Sequence, residues 1–407
     1  MRIGLFTDAY LPQISGVSSS TALLQDALNA LGHRAVVVTP SDPDQAKEEN
    51  DVFRVPSMPF ISAKRLSFGM HPLMAKQLKT LRLDVIHSQT EFGMGLFARQ
   101  LAKSLRIPHV HTFHTLYEDW LNDQVKSKQG SLYRRLTGWS VKRTTRRFCN
   151  KVDWVIVPTE KTRAVLLDYG VTTPIEIIPT GINLTAFRRA RFDTDGAQAI
   201  RSRIGLSDSD KVLLYLGRIS REKHIQELVT YLEQMVPDHP EIQFILVGDG
   251  PAKNELMKAG AAGPLAEHIH FTGPVPYQDV PKYYAAADFF LSASQSETQG
   301  LTYIEALAAG LPLLVHTDPV LEDVVVEGVN GFTFDGETAF KAHLKTLLAL
   351  DRDAYRQWSE AASASSERYA VEHFAEAVAA VYAPLVHDAG MPARVSATHP
   401  DKKKVQP

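Results

Sequence analysis

A strand-like apolar run, a polar loop and a helical pattern follow one another at the start of this chain, and the same succession restarts in mid-sequence. Arg2–Phe6 reads as a first strand, and residues 7–16 as the loop behind it. Leu23, Leu24, Ala27, Leu28 and Leu31 recur at three- and four-residue steps, Gly32 closes that helix, and residues 35–39 form a second strand. Strand, helix, strand in this order implies parallel pairing through a crossover. Residues 84–88, 108–112, 154–158 and 175–179 repeat the strand pattern. Residues 180–183 are turn-like and residues 187–198 are charged and weakly patterned. The pattern then restarts at 212–217 and continues at 243–247, 270–272, 289–292 and 313–316. The expectation is an α/β protein with two doubly wound, Rossmann-like domains, residues 1–185 and 186–370, with ligands at the switch points of the two sheets. An amphipathic helix is expected over 371–390, and a disordered tail, carrying Lys402, Lys403 and Lys404, over 391–407.

The chain's 407 residues suffice for two domains, and 44% hydrophobic against 22% charged residues describes a soluble globular protein. A formal net charge of −2 argues against a nucleic-acid-binding chain. The single cysteine, Cys149, rules out an internal disulfide framework and fits a reducing cytoplasm. The opening residues read as a strand rather than a signal peptide, and no apolar run approaches the ~20 residues of a membrane-spanning helix. Any encounter with a membrane is therefore expected at its surface.

Residues 294–312 carry the densest chemistry. Glu297 and Glu305 bracket Gly300 and the first turn of a helix that follows a buried strand. A helix start presents unpaired N–H groups that suit a phosphate, while carboxylates suit sugar hydroxyls. Together they point to a phosphate-linked sugar. A capping box from Thr302 to Glu305, with Glu305 serving only backbone donors, explains the same spacing equally well. In the same half, Arg218 and Lys223 lie just beyond the strand at 212–217, where a doubly wound sheet holds its ligands. An arginine there can grip phosphate with two donors, and a lysine adds a point charge; two solvated cations are the alternative. Gly248-Asp249-Gly250-Pro251 reads as a structural turn, and the backbone around Val275 as an edge able to pair with a base. In the first half, Gly16 would let a backbone approach a phosphate closely, or would serve only the turn. His111 and His114 flank Phe113 at a strand end with no third ligand for a metal. A histidine so placed can serve a substrate hydroxyl, or can be a satisfied core residue.

No acidic residue occurs from 124 to 152, whereas Lys126, Lys128, Arg134, Arg135, Lys142, Arg143, Arg146, Arg147 and Lys151 are basic. On a helix, Arg135, Trp139, Lys142 and Arg146 share one side. A basic face with an aromatic reads as an interfacial membrane contact, and Lys64, Arg65, Lys76, Lys79 and Arg82 extend it. Each cation near an anionic leaflet contributes up to ~1 kcal/mol. An ordinary solvated face is the alternative.

These residues resemble a known family over nearly the whole chain: the retaining GT-B glycosyltransferases of family 4. The resemblance rests on Gly16, on Phe113-His114-Thr115, on Gly217-Arg218 with Lys223, and above all on Glu297 and Glu305, which match the family's E-x7-E motif. Within the family, residues 296–302 and 111–117 look like the bacterial 1,2-diacylglycerol 3-glucosyltransferases, peripheral membrane enzymes that make monoglucosyldiacylglycerol. What the resemblance implies is a catalytic set of His114, Arg218, Lys223 and Glu297. It implies donor contacts from Gly16, Arg218, Lys223, Val275, Glu297, Gln299, Gly300, Leu301, Thr302 and Glu305. Arg218 and Lys223 would stabilise departing UDP, Glu297 would take sugar hydroxyls, Glu305 the ribose, and the Gly300, Leu301 and Thr302 backbone the phosphate and sugar. Gly16 would approach the diphosphate and His114 the sugar. Asp8 stands where some relatives bind acceptor or donor. Two domains facing a central cleft, a final helix crossing back to the first domain, and front-face transfer complete the picture.

The expected reaction is glucose transfer from UDP-glucose to diacylglycerol at the cytoplasmic face of the membrane. Its partners would be anionic lipids, and the membrane contacts would come from Arg134, Arg135, Trp139, Lys142, Arg143, Arg146 and Arg147. No nucleic acid, tightly bound cofactor or protein-ligated metal is expected, although a divalent cation would be compatible as a stimulant. Another lipid such as phosphatidylinositol, or a soluble acceptor, is the first rival; a UDP-sugar 2-epimerase and a non-catalytic sugar-binding protein follow.

Overall fold

The computed structural model describes residues 1–13, 15–42, 51–59, 65–67, 71–114 and 131–389, without the side chains of 59, 65–66, 131–137 and 388–389. The expected tail lies outside the described residues. The first sheet contains β1 (Arg2–Phe6), β2 (Arg34–Pro40), β3 (Val52–Val55), β6 (Val85–Ser88), β7 (His109–Thr112), β8 (Trp154–Val157) and β9 (Ile175–Ile177). A small antiparallel pair, β4 (Met58–Pro59) and β5 (Arg65–Leu66), stands apart. The second sheet contains β10 (Lys211–Leu216), β11 (Ile242–Val247), β12 (Ile269–Gly273), β13 (Phe289–Ser292), β14 (Leu313–His316) and β15 (Gly331–Phe334).

The strand orders are β3-β2-β1-β6-β7-β8-β9 and β12-β11-β10-β13-β14-β15, parallel throughout. In each sheet the order reverses beside its opening strand, between β1 and β6 and between β10 and β13. Those reversals splay successive loops apart and leave a crevice at the strands' carboxyl ends. The central strands are buried on both faces, with Ile3, Leu5, Val37, Val85 and Val110 in one core and Leu213, Phe244, Leu246, Phe289 and Leu314 in another. This explains why they read as continuous apolar runs.

Two parts of the fold add to the expectation. The strands β3 and β15 were not anticipated, because each is an outer strand of its sheet with half-exposed positions that dilute the apolar signal. Residues 187–198, charged and weakly patterned in sequence, fall mostly in helices Leu184–Ala190 and Thr194–Arg203. Asn183 accepts from the Thr185 N–H and Asp193 from the Gly196 N–H, capping both, while Leu184 and Phe187 are buried.

The chain crosses between the halves twice, at neighbouring points. The Ile182 N–H donates to the Tyr369 carbonyl at 2.9 Å and the Val371 N–H to the Ile182 carbonyl at 3.1 Å. Beyond this bridge, helix Val371–Ala389 packs Phe374, Ala375, Val378 and Tyr382 into the first domain's core, with Leu24, Ala27 and Leu28 of helix Gly16–Ala30. Its Tyr382 hydroxyl lies 2.6 Å from His87 Nδ1, and His87 Nε2 lies 2.7 Å from the Thr112 hydroxyl. Burial holds the His87 imidazole well below its ordinary pKa, so it is a neutral core group.

Candidate active site

The crevice of the second sheet collects the loop after β10 and the loop after β13. Lys223 Nζ donates to Glu297 Oε1 at 2.6 Å and reaches the Ser294 hydroxyl at 3.3 Å. Both members of this pair are mostly shielded, at 17% and 20% exposure. Arg218 is paired with Glu222, which also accepts from the Ser220 hydroxyl at 2.5 Å. Arg218 and Lys223 thus each rest on a carboxylate. Gly248, in the turn after β11, has φ +143°, and a Cβ there would stand 1.9 Å from the Gly217 carbonyl, so this glycine serves loop packing.

Helix Leu301–Ala308 begins without a capping box. Its N-cap is Gly300 at φ +73°, with no side-chain cap, and Glu305 is turned away from the backbone donors. The Glu305 carboxylate instead accepts from the Tyr284 hydroxyl at 2.9 Å, with the Tyr277 hydroxyl at 3.5 Å. Burial raises its pKa from 4.5 to about 7, and the two hydroxyls only partly offset this. No capping box forms: Glu305 is a buried carboxylate in a tyrosine cradle, one wall of which follows the loop of Val275. Val275 itself packs against the domain core, as does Leu301. The Thr302 carbonyl accepts from Tyr284 at 3.2 Å. The Gln299 side chain turns toward Thr180. Its Oε1 accepts from the Thr180 N–H at 2.8 Å and its Nε2 donates to the Thr180 carbonyl at 2.9 Å. The side chain is buried and bonded across the domains through both its oxygen and its nitrogen.

In the first sheet, the reversal between β1 and β6 brings together Asp8, Gln89 and Thr90, with His114 beyond β7. Asp8 accepts from the Thr90 hydroxyl at 2.5 Å and the Met94 N–H at 3.1 Å; burial lifts its pKa to about 6. His114 Nε2 lies 2.8 Å from Gln89 Oε1. With the amide oxygen turned toward it, Nε2 carries the proton and Nδ1 keeps its lone pair. Burial lowers the His114 pKa to about 4, which keeps the ring neutral. His111, by contrast, is wholly buried, bonded to Ser88 and 3.4 Å from Glu91. It is a satisfied core histidine. Gly16 opens its helix without positive φ, and a Cβ there would meet nothing within 4 Å. The turn does not require a glycine at that position.

Three residues of the first domain that sequence reasoning missed hold the Glu297 loop. Lys161 Nζ donates to Asp318 Oδ2 and Oδ1 at 2.8 and 2.9 Å, and to the carbonyls of Glu297 at 3.2 Å and Gln295 at 3.5 Å. The Thr159 hydroxyl donates to the Thr298 carbonyl at 2.9 Å, and Thr180 holds Gln299 as described. Thr159 is legible as the N-cap of helix Glu160–Asp168. Nothing local marks Lys161, whose partner Asp318 is distant in sequence. These contacts set the carboxyl ends of the two sheets against each other.

The basic helix, Ser131–Cys149, is present. Trp139 is 61% exposed, with the Arg143 guanidinium 5.2 Å from its ring centroid. Arg143, Arg146 and Arg147 are exposed and, with Asn150, line a shallow basic cavity. Lys142 donates to Asp168 at 2.8 Å in an exposed ion pair and lies over the Tyr169 ring. The side chains of Arg134 and Arg135, and Lys64, lie outside the described residues. Among the described residues, no helix is long and apolar enough to cross a membrane.

Comparison with known proteins matches residues 14–186 to the Glycosyltransferase Family 4 model and residues 197–365 to the Glycosyl transferases group 1 model. The alpha-monoglucosyldiacylglycerol synthase of Streptococcus pneumoniae is 39% identical, over 86% of this chain and 79% of its own. The chain belongs to glycosyltransferase family 4. An enzyme of the same name from Acholeplasma laidlawii is 36% identical over 95% of this chain and 98% of its own. The crystal structure of Anabaena HepE in complex with UDP shares the fold, with a TM-score of 0.73 at 20% identity over 94% of this chain and all of that one. The two parallel sheets thus form a GT-B fold, and this glycosyltransferase is a family 4 hexosyltransferase.

Proposed function

We propose that this glycosyltransferase moves glucose from UDP-glucose to diacylglycerol, with retention, at a membrane surface. The observation that carries the site assignment is the Lys223–Glu297 pair beside Gly300, at the reversal of the second sheet. The shared name of the two synthases above supports the acceptor. Arg218 and Lys223 leave their carboxylate partners to hold the donor diphosphate. Glu297, released from Lys223, accepts from sugar hydroxyls, and Glu305, with two tyrosine hydroxyls holding it, faces the ribose. Gly16 leaves room for the diphosphate from the other domain, and His114 presents the lone pair of Nδ1 to a sugar hydroxyl.

In the transfer, the bond from the anomeric carbon to the diphosphate oxygen breaks as the bond to the acceptor oxygen forms on the same face. The acceptor's proton passes to the departing phosphate oxygen, so UDP and the glycoside are the products. The two cations stabilise charge that grows on the leaving group, and the proposal involves no protein-ligated metal. Arg143, Arg146, Arg147 and Trp139 meet an anionic leaflet.

Purified protein with labelled UDP-glucose or UDP-galactose, with and without vesicles containing diacylglycerol and anionic lipid, tests this reading. Label from UDP-glucose is expected in the lipid fraction; label confined to water-soluble products refutes the lipid acceptor. Neutralising Arg143, Arg146 and Arg147 together is expected to reduce co-sedimentation with anionic vesicles, as does high salt. Unchanged sedimentation moves the contact elsewhere.

A further inference from the structure

Lys161 is neither near the donor motif in sequence nor on the same domain, yet its ammonium is spent on the stretch that carries Glu297. Asp318, its counter-charge, has a side chain only 2% exposed and also accepts from the Val320 N–H at 2.9 Å, so it is a fixed anchor in the second domain. An ordinary ion pair would leave the remaining lysine protons to solvent. Here they reach the carbonyls of Gln295 and Glu297. Holding the Glu297 carbonyl fixes the backbone from which its carboxylate extends to Lys223. The neighbouring bonds, Thr159 to Thr298 and Thr180 to Gln299, secure the end of the stretch that leads into Gly300.

We propose that Lys161 is a positioning residue for the sugar end of the donor: anchored on Asp318, it holds the main chain of Glu297 so that the carboxylate is aimed into the site. Sugar recognition by the second domain therefore depends on a cation supplied by the first. The nucleotide end depends on it less, because Arg218 and Glu305 stand on segments that Lys161 does not touch and Lys223 is reached only through Glu297. The inference rests on the proposed grip of Glu297 on the sugar, and the test separates the two.

Removing Lys161 alone would strand the Asp318 carboxylate in a buried place, so the informative variant is Lys161→Met with Asp318→Asn, which removes both charges. Lys161→Arg keeps a cation, and Glu297→Gln examines the grip itself. Affinities for UDP and for UDP-glucose are measured by titration calorimetry, and hydrogen exchange of the peptide covering residues 293–300 by mass spectrometry. In the double variant, UDP affinity is expected to stay within about twofold of wild type. UDP-glucose affinity is expected to fall about tenfold, the effect of one lost charge-assisted contact. Exchange of the 293–300 peptide is expected to rise while β10 and β13 stay protected, and Lys161→Arg is expected to recover most of both losses. Wild-type exchange in the folded double variant overturns the positioning role whatever Glu297 does. Raised exchange with an intact preference for UDP-glucose also overturns it if Glu297→Gln loses that preference. If Glu297→Gln keeps the preference, the sugar grip itself is wrong, and the exchange data alone decide whether Lys161 orders the loop.

Discussion

Glu305→Gln sets stability against function at one buried carboxyl. In the folded protein the Glu305 pKa is about 7, against an ordinary 4.5. The native state therefore holds this proton more tightly than the unfolded chain does. The resulting stabilisation is complete below the unfolded pKa, erodes as pH rises, and is gone above about 7. At ~1.4 kcal/mol per tenfold step in proton affinity, the loss is about 3 kcal/mol between pH 4 and 8. Glutamine is neutral throughout and keeps an oxygen for the Tyr284 hydroxyl. Asp8, also raised by burial, titrates in both proteins and cancels from the comparison. Urea unfolding of the two proteins at pH 5 and pH 8 gives the difference directly. The variant is expected to gain on wild type by about 2–3 kcal/mol over that interval, while binding UDP more weakly at pH 8. A stability difference that stays constant within ~0.5 kcal/mol across the interval would refute the claim that burial of an ionisable carboxyl governs this site.

Three further outcomes are expected. Gly300→Ala places a Cβ 2.3 Å from the ring of Tyr303, which is itself buried, at a φ of +73°; stability should fall by ~2 kcal/mol or more, with donor binding lost in calorimetry. Gln89→Glu puts a carboxylate against His114 Nε2 in place of a neutral amide, so the imidazolium gains a partner and the acid limb of the pH–rate profile should move upward from about 4. Tyr382→Phe leaves His87 Nδ1 without its hydroxyl in a buried setting, which should cost about 1–3 kcal/mol in unfolding measurements while leaving the affinity for UDP unchanged.

What the sequence made legible was whatever is local. The central strands could be read because burial on both faces makes them continuously apolar, and the family resemblance came from short motifs that sit on single loops. Where two local explanations competed, the sequence had no means of choosing. The Thr302–Glu305 spacing fits a capping box, but the left-handed Gly300 starts the helix two residues too early, and the distant hydroxyl of Tyr284 claims the carboxylate. For Gln299 the resemblance implied a donor contact; the partner of its side chain, Thr180, lies in the other domain. Lys161 was invisible for the same reason, as was the pairing of Lys142 with Asp168, which belongs to the next helix. A charged side chain's direction is set by what packs opposite it, and that is information a linear pattern does not hold.

The paired crossings at Ile182 and at Tyr369–Val371 bear on how the two halves can move. A single tether would let one lobe swivel freely about its axis. Two tethers bonded side by side behave like the two knuckles of a door hinge: they permit bending about the line joining them and resist torsion. Thr180, two residues from that line, moves little during such a bend, so its grip on Gln299 can persist when the cleft widens. Lys161 stands on helix Glu160–Asp168, outside the crossing, so a widening that parts the domains there must break its bonds to Asp318 and the Glu297 carbonyl. Opening would then disarm the sugar subsite while the first turn of the helix after Gly300 stays anchored.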